Sequence, residues 1–340
     1  MTALLLIATL LAVVIAYVNG LHDASNAVST SIATRTMRES SALAYAAILN
    51  TLGAVIGLSI GAFSLSWALP LLGFGALDPA ALTGSALLAP LLIGSALTVI
   101  LWDVATWATG TPSSTWHAMY GAAAGGALIL GQPVEWGRLL GILALALLIG
   151  PLAGALCAHL LARGVIRLAA AGRMGTGAMR CVQTLSAGAV ATSHGVIDSH
   201  LPMALIVIAA HYEGIAMNPG GGPMPWAILL VAFALGLGTL VGGRRIISTL
   251  SRRLTNLTTV QGFAAEAGTA ALMGTVSIGL GVPLSSSQTL TSSIAGAGLA
   301  LGPRQIRWGV YGRIATVWIA TPLACFAISA ILTLLAYRLL

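Results

Sequence analysis

The chain has 340 residues, 58% of them hydrophobic and only 7% charged, and its mean hydropathy is +0.97. Soluble domains carry about a quarter charged residues, so this composition excludes a soluble globular protein and implies an integral membrane protein. The net charge of +7 does not point to nucleic acid, because the arginines lie in short clusters between apolar runs, and Cys157, Cys181 and Cys325 have neither metal-ligand nor redox spacing.

Apolar runs and their breaks predict about ten helical passes. The first, residues 3–34, is read as a pass and not as a removed signal peptide. No basic residue precedes it, no small-residue cleavage site follows, and it runs into a polar stretch, residues 22–26, that is expected to interrupt it. Passes follow at 41–62, 80–101 and 110–130, the last interrupted at Pro112-Ser113-Ser114-Thr115, and then at 138–162. The next lie at 181–210 (interrupted near Asp198), 225–243, 258–280, 282–302 (interrupted at Pro283-Leu284-Ser285-Ser286) and 308–335.

With the N-terminus outside, the inner loops begin near residues 35, 102, 163, 244 and 303, and thirteen of the fifteen arginines fall inside. Only Arg138 and Arg338 fall outside. This positive-inside bias predicts both termini outside a multi-pass protein of the cell membrane. Five passes per half make the halves opposite in orientation. Three matches support a duplication: Pro112-Ser113-Ser114-Thr115 with Pro283-Leu284-Ser285-Ser286 at an offset of 171, "EWGRLLG" with "IRWGVYG" at 172, and "NGLHDASN" with "SHGVIDSH" at 175. The expected fold is therefore all-α and polytopic, with two inverted-topology repeats and broken or re-entrant helices. Repeat 1 spans 1–165, a basic cytoplasmic linker 166–180, and repeat 2 181–340. Such architectures place substrate and coupling-ion sites near the midplane, on discontinuous helices.

Two acids, Asp23 and Asp198, each follow a glycine by three residues within an apolar pass. An ionisable side chain at depth costs roughly 2.5–3.5 kcal/mol on insertion scales and normally faces a cavity or a partner. The hydroxyl clusters Thr111, Ser113, Ser114, Thr115 and Ser285, Ser286, Ser287, Thr289 each follow a proline, the pattern of a helix that breaks and restarts. A restart exposes about four backbone N–H groups and the positive end of a helix dipole, which suits an anion. Helix capping or close helix packing would use the same small polar residues. His22, His117, His194 and His200 adjoin these motifs. They lack zinc-type spacing, so no metal site is expected, and they suit proton relay or substrate contact. Asp103 and Glu213 fall near predicted loops and are expected to be solvated, whereas Glu266 lies in a pass and could line a pathway.

At these residues the chain resembles the inorganic phosphate transporter (PiT) family of secondary carriers. The resemblance rests on "GLHDASNA" (20–27), "PSSTWH" (112–117), its second copy "PLSSSQ" (283–288) and the tail "RWGVYGRIATVWIATPL" (307–323), and it extends over nearly the whole chain. In the second half "HGVID" (194–198) keeps Asp198 but carries Ile197 where family members have an asparagine, one polar ligand fewer. The resemblance implies a transporter rather than an enzyme, importing phosphate by H+ or Na+ symport. It implies a homodimer in membrane lipid, no bound cofactor, and room for a divalent metal travelling with the phosphate. Carried over by position, Ser113, Ser114, Thr115, Ser285, Ser286 and Ser287 would hold the oxyanion. Asp23, Asn26 and Asp198, with His22 and His194 beside them, would hold the coupling cation or proton.

The surplus of histidines and the missing amide at 197 favour protons over sodium. Carboxylates facing the anion favour hydrogen phosphate, which offers a donor that sulfate lacks. A sulfate or other tetrahedral-oxyanion permease of the same fold is the neighbouring alternative. An intramembrane serine/histidine hydrolase and a non-transporting sensor are alternatives of other classes.

Overall fold

The computed structural model describes residues 3–60, 86–171, 175–215, 223–282 and 284–340. The expected passes 41–62 and 80–101 and the linker 166–180 therefore lie partly outside the described residues, as does Pro283.

The described chain is helical throughout. The first half holds α1 (Ala3–Ala33), α2 (Glu39–Ile60), α3 (Leu88–Thr109), α4 (Thr115–Ile129) and α5 (Trp136–Ala170). The second holds α6 (Thr176–Asp198), α7 (His200–Tyr212), α8 (Pro225–Val241) and α9 (Arg244–Ser248), which continues into a π-helical turn (Thr249–Leu254). Then come α10 (Thr259–Leu272) with a π-helical end (Met273–Gly279), α11 (Ser286–Leu299) and α12 (Trp308–Leu339).

Six helical stretches among the described residues are long and apolar enough to cross a membrane: α1, α2, α3, α5, the α6–α7 unit and α12. Counted as one span, the bent pair formed by α8 and Arg244–Leu254, with a 52° break, brings the number to seven. The other expected passes are shorter pieces. In α4 and α11, 15 and 14 residues of helix follow an extended segment.

Two expectations need correction. First, α1 is one continuous helix through residues 22–26, because its polar side chains find partners on neighbouring helices and leave the backbone ladder intact. Second, α3 runs to Thr109, well beyond residue 101, so Asp103 lies inside a helix and is buried at 1% exposure instead of solvated in a loop. Glu213 does sit in the turn after α7, partly exposed.

Packing follows a recurring scheme. Helix α1 packs on α8 and α6 on α2; α4 packs on α12 and α11 on α5; α3 also packs on α12 and α10 on α5. The tightest crossings depend on glycine. A Cβ on Gly125 of α4 would collide with the Phe326 carbonyl of α12, and one on Gly296 of α11 with the Ala155 carbonyl of α5. Both the glycines and their partners are separated by 171 residues. Without a hydrophobic drive between helices in lipid, such backbone-to-backbone contact is what holds them together. Helices α5 and α12 turn their leucines outward, with Leu152 68% and Leu323 69% exposed, as lipid-facing surfaces require. Many of the buried polar residues lie on α1 and α11.

Candidate functional site

Four elements converge on one buried polar cluster. Helix α1 carries His22, Asp23 and Asn26 on adjoining turns, and the last turn of α6 carries His194 and Asp198 four residues apart, on one face. The helix breaks at Ser199, and His200 opens α7. The other two elements are the starts of α4 and α11, each reached through a non-helical segment, residues 111–114 in the first case and 284–285 in the second.

The restarts are built alike. Ser114 and Ser285 have extended backbones, and each side chain accepts from the backbone N–H three residues on, His117 and Gln288, at 3.3 Å. Capping thus accounts for these two hydroxyls. The N–H groups of Thr115, Trp116, Ser286 and Ser287 precede any helical acceptor and so have no partner within their own helix. The helices also meet each other: Gln288 Nε2 donates to His117 Nδ1 at 2.9 Å.

The remaining hydroxyls face the acids. Ser287 donates to Asp23 Oδ1 at 2.6 Å and Ser286 to Asp198 Oδ2 at 3.4 Å, while Asn26 Nδ2 donates to both serines at 2.9 and 3.2 Å. In the first half, Ser113 bonds His22 Nε2 at 3.2 Å and Thr106 at 2.9 Å, and His22 Nδ1 lies 3.0 Å from Asp23 Oδ1. Thr115 donates to Asp103 at 2.8 Å and accepts from Asn19 Nδ2 at 3.0 Å. All of these side chains are buried.

The protonation of His194 can be followed atom by atom. The Thr239 hydroxyl donates to the Leu235 carbonyl at 3.0 Å, so it accepts from Asn50 Nδ2 at 2.7 Å. That orients Asn50 Oδ1 toward His194 Nδ1, 3.0 Å away, which must therefore carry a proton. His194 Nε2 then faces Asp198 Oδ2 at 3.1 Å and Asp23 Oδ2 at 3.4 Å. Two carboxylate oxygens cannot approach a bare ring nitrogen in a buried site, so this junction holds a proton unless a cation takes its place. Asp23, His194 and Asp198 each offer a ligand atom within 4.8 Å of the other two, which is the geometry a cation would use.

Glu266 is apart from this junction. It is fully buried on α10 and accepts from the hydroxyls of Thr30, Ser31 at 3.0 Å and Ser186 at 2.7 Å. Ile197 is buried in α6 and adds no polar atom. Asn19, Asn50, Thr106 and Thr239 also serve the cluster without standing out in the sequence. Their only signal is a polar residue inside an apolar run.

Residues 19–176 and 169–329 match the phosphate transporter family. The chain belongs to this family. Among phosphate transporter family relatives, a probable low-affinity inorganic phosphate transporter of Mycobacterium leprae is 33% identical over 332 residues, covering 94% of this chain and 75% of its own. One from Rhizobium meliloti, described in the same words, is 32% identical and covers 93% and 91% of the two chains. A solved structure described as the sodium-dependent phosphate transporter superposes with a TM-score of 0.81 at 19% identity over the full length of both chains, a likeness of fold. As a member of the phosphate transporter family the chain is a multi-pass membrane transporter and not a hydrolase.

One consequence concerns stability. Asn50→Leu would leave the His194 Nδ1–H facing an apolar side chain, and an unsatisfied buried donor costs about 1–3 kcal/mol. A lowered melting temperature of the detergent-solubilised protein is the expected result, and an unchanged one would remove Asn50 from the network.

Proposed function

We propose that this protein imports inorganic phosphate across the cell membrane by proton symport, with the oxyanion held between the starts of α4 and α11. The two restarts supply four free backbone N–H groups and the hydroxyls of Ser113, Thr115, Ser286 and Ser287. Ser114 and Ser285 contribute by capping and so aim the N–H groups. Asp23, Asn26 and Asp198 with His22 and His194 form the coupling group.

The observation that carries this reading is Ser287, whose hydroxyl joins Asp23 to the start of α11 at 2.6 Å. An oxyanion drawing on that hydroxyl changes the environment of the acid in the same event, so occupancy of the two sites is linked. Inverted repeats with both termini outside supply the alternating access. The paired helix crossings and the glycines 171 residues apart support that arrangement.

Protons are favoured over sodium because His194 Nε2 already requires one between the two acids. The Asp23–His194–Asp198 triad favours the second reading, a sodium ion replacing that proton. Labelled phosphate uptake into proteoliposomes separates them. Uptake should follow an imposed pH gradient without sodium, and uptake that requires sodium and ignores the pH gradient would overturn proton coupling. Sulfate uptake without competition from phosphate would overturn the substrate. The expected homodimer is checked by the mass of the detergent-solubilised protein.

In the same assay Ser287→Ala is expected to lower uptake at least tenfold. It removes a hydrogen bond to a charged group, worth about 1.5–3 kcal/mol, at the link between anion and acid. Ser114→Ala should instead reduce folded yield and uptake together, through loss of the cap, which costs about 1 kcal/mol.

A further inference from the structure

A cavity of about 430 Å³ lies outside the buried cluster, where the end of α3 meets α9. Three arginines, Arg244, Arg245 and Arg253, line it together with the hydroxyl-bearing Thr109, Ser248 and Thr249. Among the described residues no carboxylate lines it. The nearby Glu39 pairs with Arg244 Nε at 3.1 Å, one acid against three guanidinium groups.

This cavity touches the segment that leads into the first hydroxyl cluster. Arg245 lies over the Trp107 ring at 5.7 Å and donates through Nη1 to the Ala108 carbonyl, while Thr249 donates to the Gly110 carbonyl at 2.7 Å. Gly110 has φ +69° and turns the chain from α3 into the extended residues 111–114. Two side chains of the cavity wall thus hold the two carbonyls at the start of the segment that ends at Ser114. A topology signal needs positive charge at this end of the protein, but it needs neither a cavity, nor hydroxyls among the arginines, nor a grip on this turn.

We infer that this cavity is a second anion site, taking a phosphate group on Arg244, Arg245 and Arg253 beside the turn that leads to the first serine cluster. Guanidinium groups hold phosphate oxygens through paired N–H donors, and hydroxyls complete the shell. The volume falls within the range of small-molecule sites and exceeds what one tetrahedral oxyanion needs. It therefore accommodates hydrated inorganic phosphate or the phosphodiester headgroup of an anionic lipid. A phosphate group bound there competes with the Ala108 carbonyl for Arg245, so occupancy loosens one of the two contacts on the turn. The role as an inner station for released phosphate rests on the import reading above; the binding site itself does not.

The test uses full-length protein in nanodiscs of phosphatidylcholine, titrated with inorganic phosphate by calorimetry. Wild type should show two binding events. Arg245→Gln and, independently, Arg253→Gln should remove or weaken one of them at least tenfold. Arg253→Gln leaves the contact to Ala108 in place, so its effect cannot come from a collapsed turn. Asp23→Asn and Ser287→Ala should affect only the other event. If they change nothing while the arginine variants abolish binding, the import reading fails and the cavity stands. For the lipid source, nanodiscs containing phosphatidylglycerol should suppress the arginine-dependent event, with native mass spectrometry detecting one retained phosphatidylglycerol that Arg253→Gln loses. If both arginine variants bind phosphate and retain phosphatidylglycerol as wild type does, the inference is overturned.

Discussion

Asp23→Asn is expected to abolish net phosphate uptake, to roughly one hundredth of wild type or less, while the protein remains folded. The Asp23 carboxylate accepts from Ser287 at 2.6 Å and from His22 at 3.0 Å through one oxygen, and its other oxygen faces His194 at 3.4 Å. An amide has nearly the same shape, but one of its two positions becomes a donor. Whichever way it turns, N–H meets either the donors on one side or the imidazole on the other. Hydrogen bonds to a charged group contribute about 1.5–3 kcal/mol each, and a factor of ten corresponds to about 1.4 kcal/mol. Losing two such bonds accounts for a hundredfold effect before the missing coupling charge is considered. The neutral amide also removes one of the two carboxylates that meet at His194, so the junction keeps one negative charge fewer, and its proton is shared with Asp198 alone.

Asp198→Asn should act in the same direction, because Asp198 is the nearer partner of His194 at 3.1 Å and also meets Ser286. Uptake in proteoliposomes, with folded protein verified by size exclusion, provides the check. Near-normal uptake in both variants would make the acids structural. Exchange of labelled for unlabelled phosphate that survives while gradient-driven uptake is lost would identify them as coupling residues and not as substrate ligands.

The second large effect belongs to packing. Gly296→Ala and Gly125→Ala are each expected to cost folded protein and transport together. The added methyl group would collide with a main-chain carbonyl, Ala155 for Gly296 and Phe326 for Gly125, which no rotamer change relieves. Overpacking of this kind typically costs about 1–3 kcal/mol and occasionally more. Here the helix that must shift is α4 or α11, and its first turn carries the hydroxyls, so a displacement at the glycine is passed to the site. Gly141→Ala is the internal control: it sits on α5 with open space where the methyl group would go, and a helix interior gains up to about 1 kcal/mol from that replacement. Size-exclusion profiles and melting temperatures of the three variants decide the matter. Wild-type behaviour of both Gly125→Ala and Gly296→Ala would mean that the crossings are looser than the structure has them.

Much of the molecule is readable along the chain. The composition demands a membrane, since 7% charged residues cannot solvate 340 residues in water. The two Pro-Ser clusters do mark helix restarts, and Ser114 and Ser285 do cap them. Capping and anion contact compete for the same hydroxyls when only residue types are known. In the folded chain capping occupies Ser114 and Ser285, and leaves Ser286 and Ser287 to face the acids. Asp23 and Asp198 also stand out along the chain, because an acid within an apolar run is too costly to persist without a partner or a cavity.

Other features cannot be read in this way. Hydropathy alone predicts a break at residues 22–26, because a run of polar side chains resembles the end of a pass. The helix continues because Ser286 and Ser287, some 260 residues away, bond to that stretch. Asp103 looks like a loop residue by the same measure, yet Thr115 is folded against it. Asn50 and Thr239 are unremarkable as single polar residues on two different helices, but together they orient His194.

Local chemistry along the chain is enough to set the solvent, most of the helical segments and the chemical types available, because hydropathy, proline breaks and glycine steps act within a few residues. Which acid faces which imidazole, and which serine serves as a cap, is settled by the folded arrangement of the helices. Those choices depend on distances between groups up to 264 residues apart. In a low-dielectric interior a difference of an ångström between a donor and a carboxylate separates a bonded pair from a buried charge left alone.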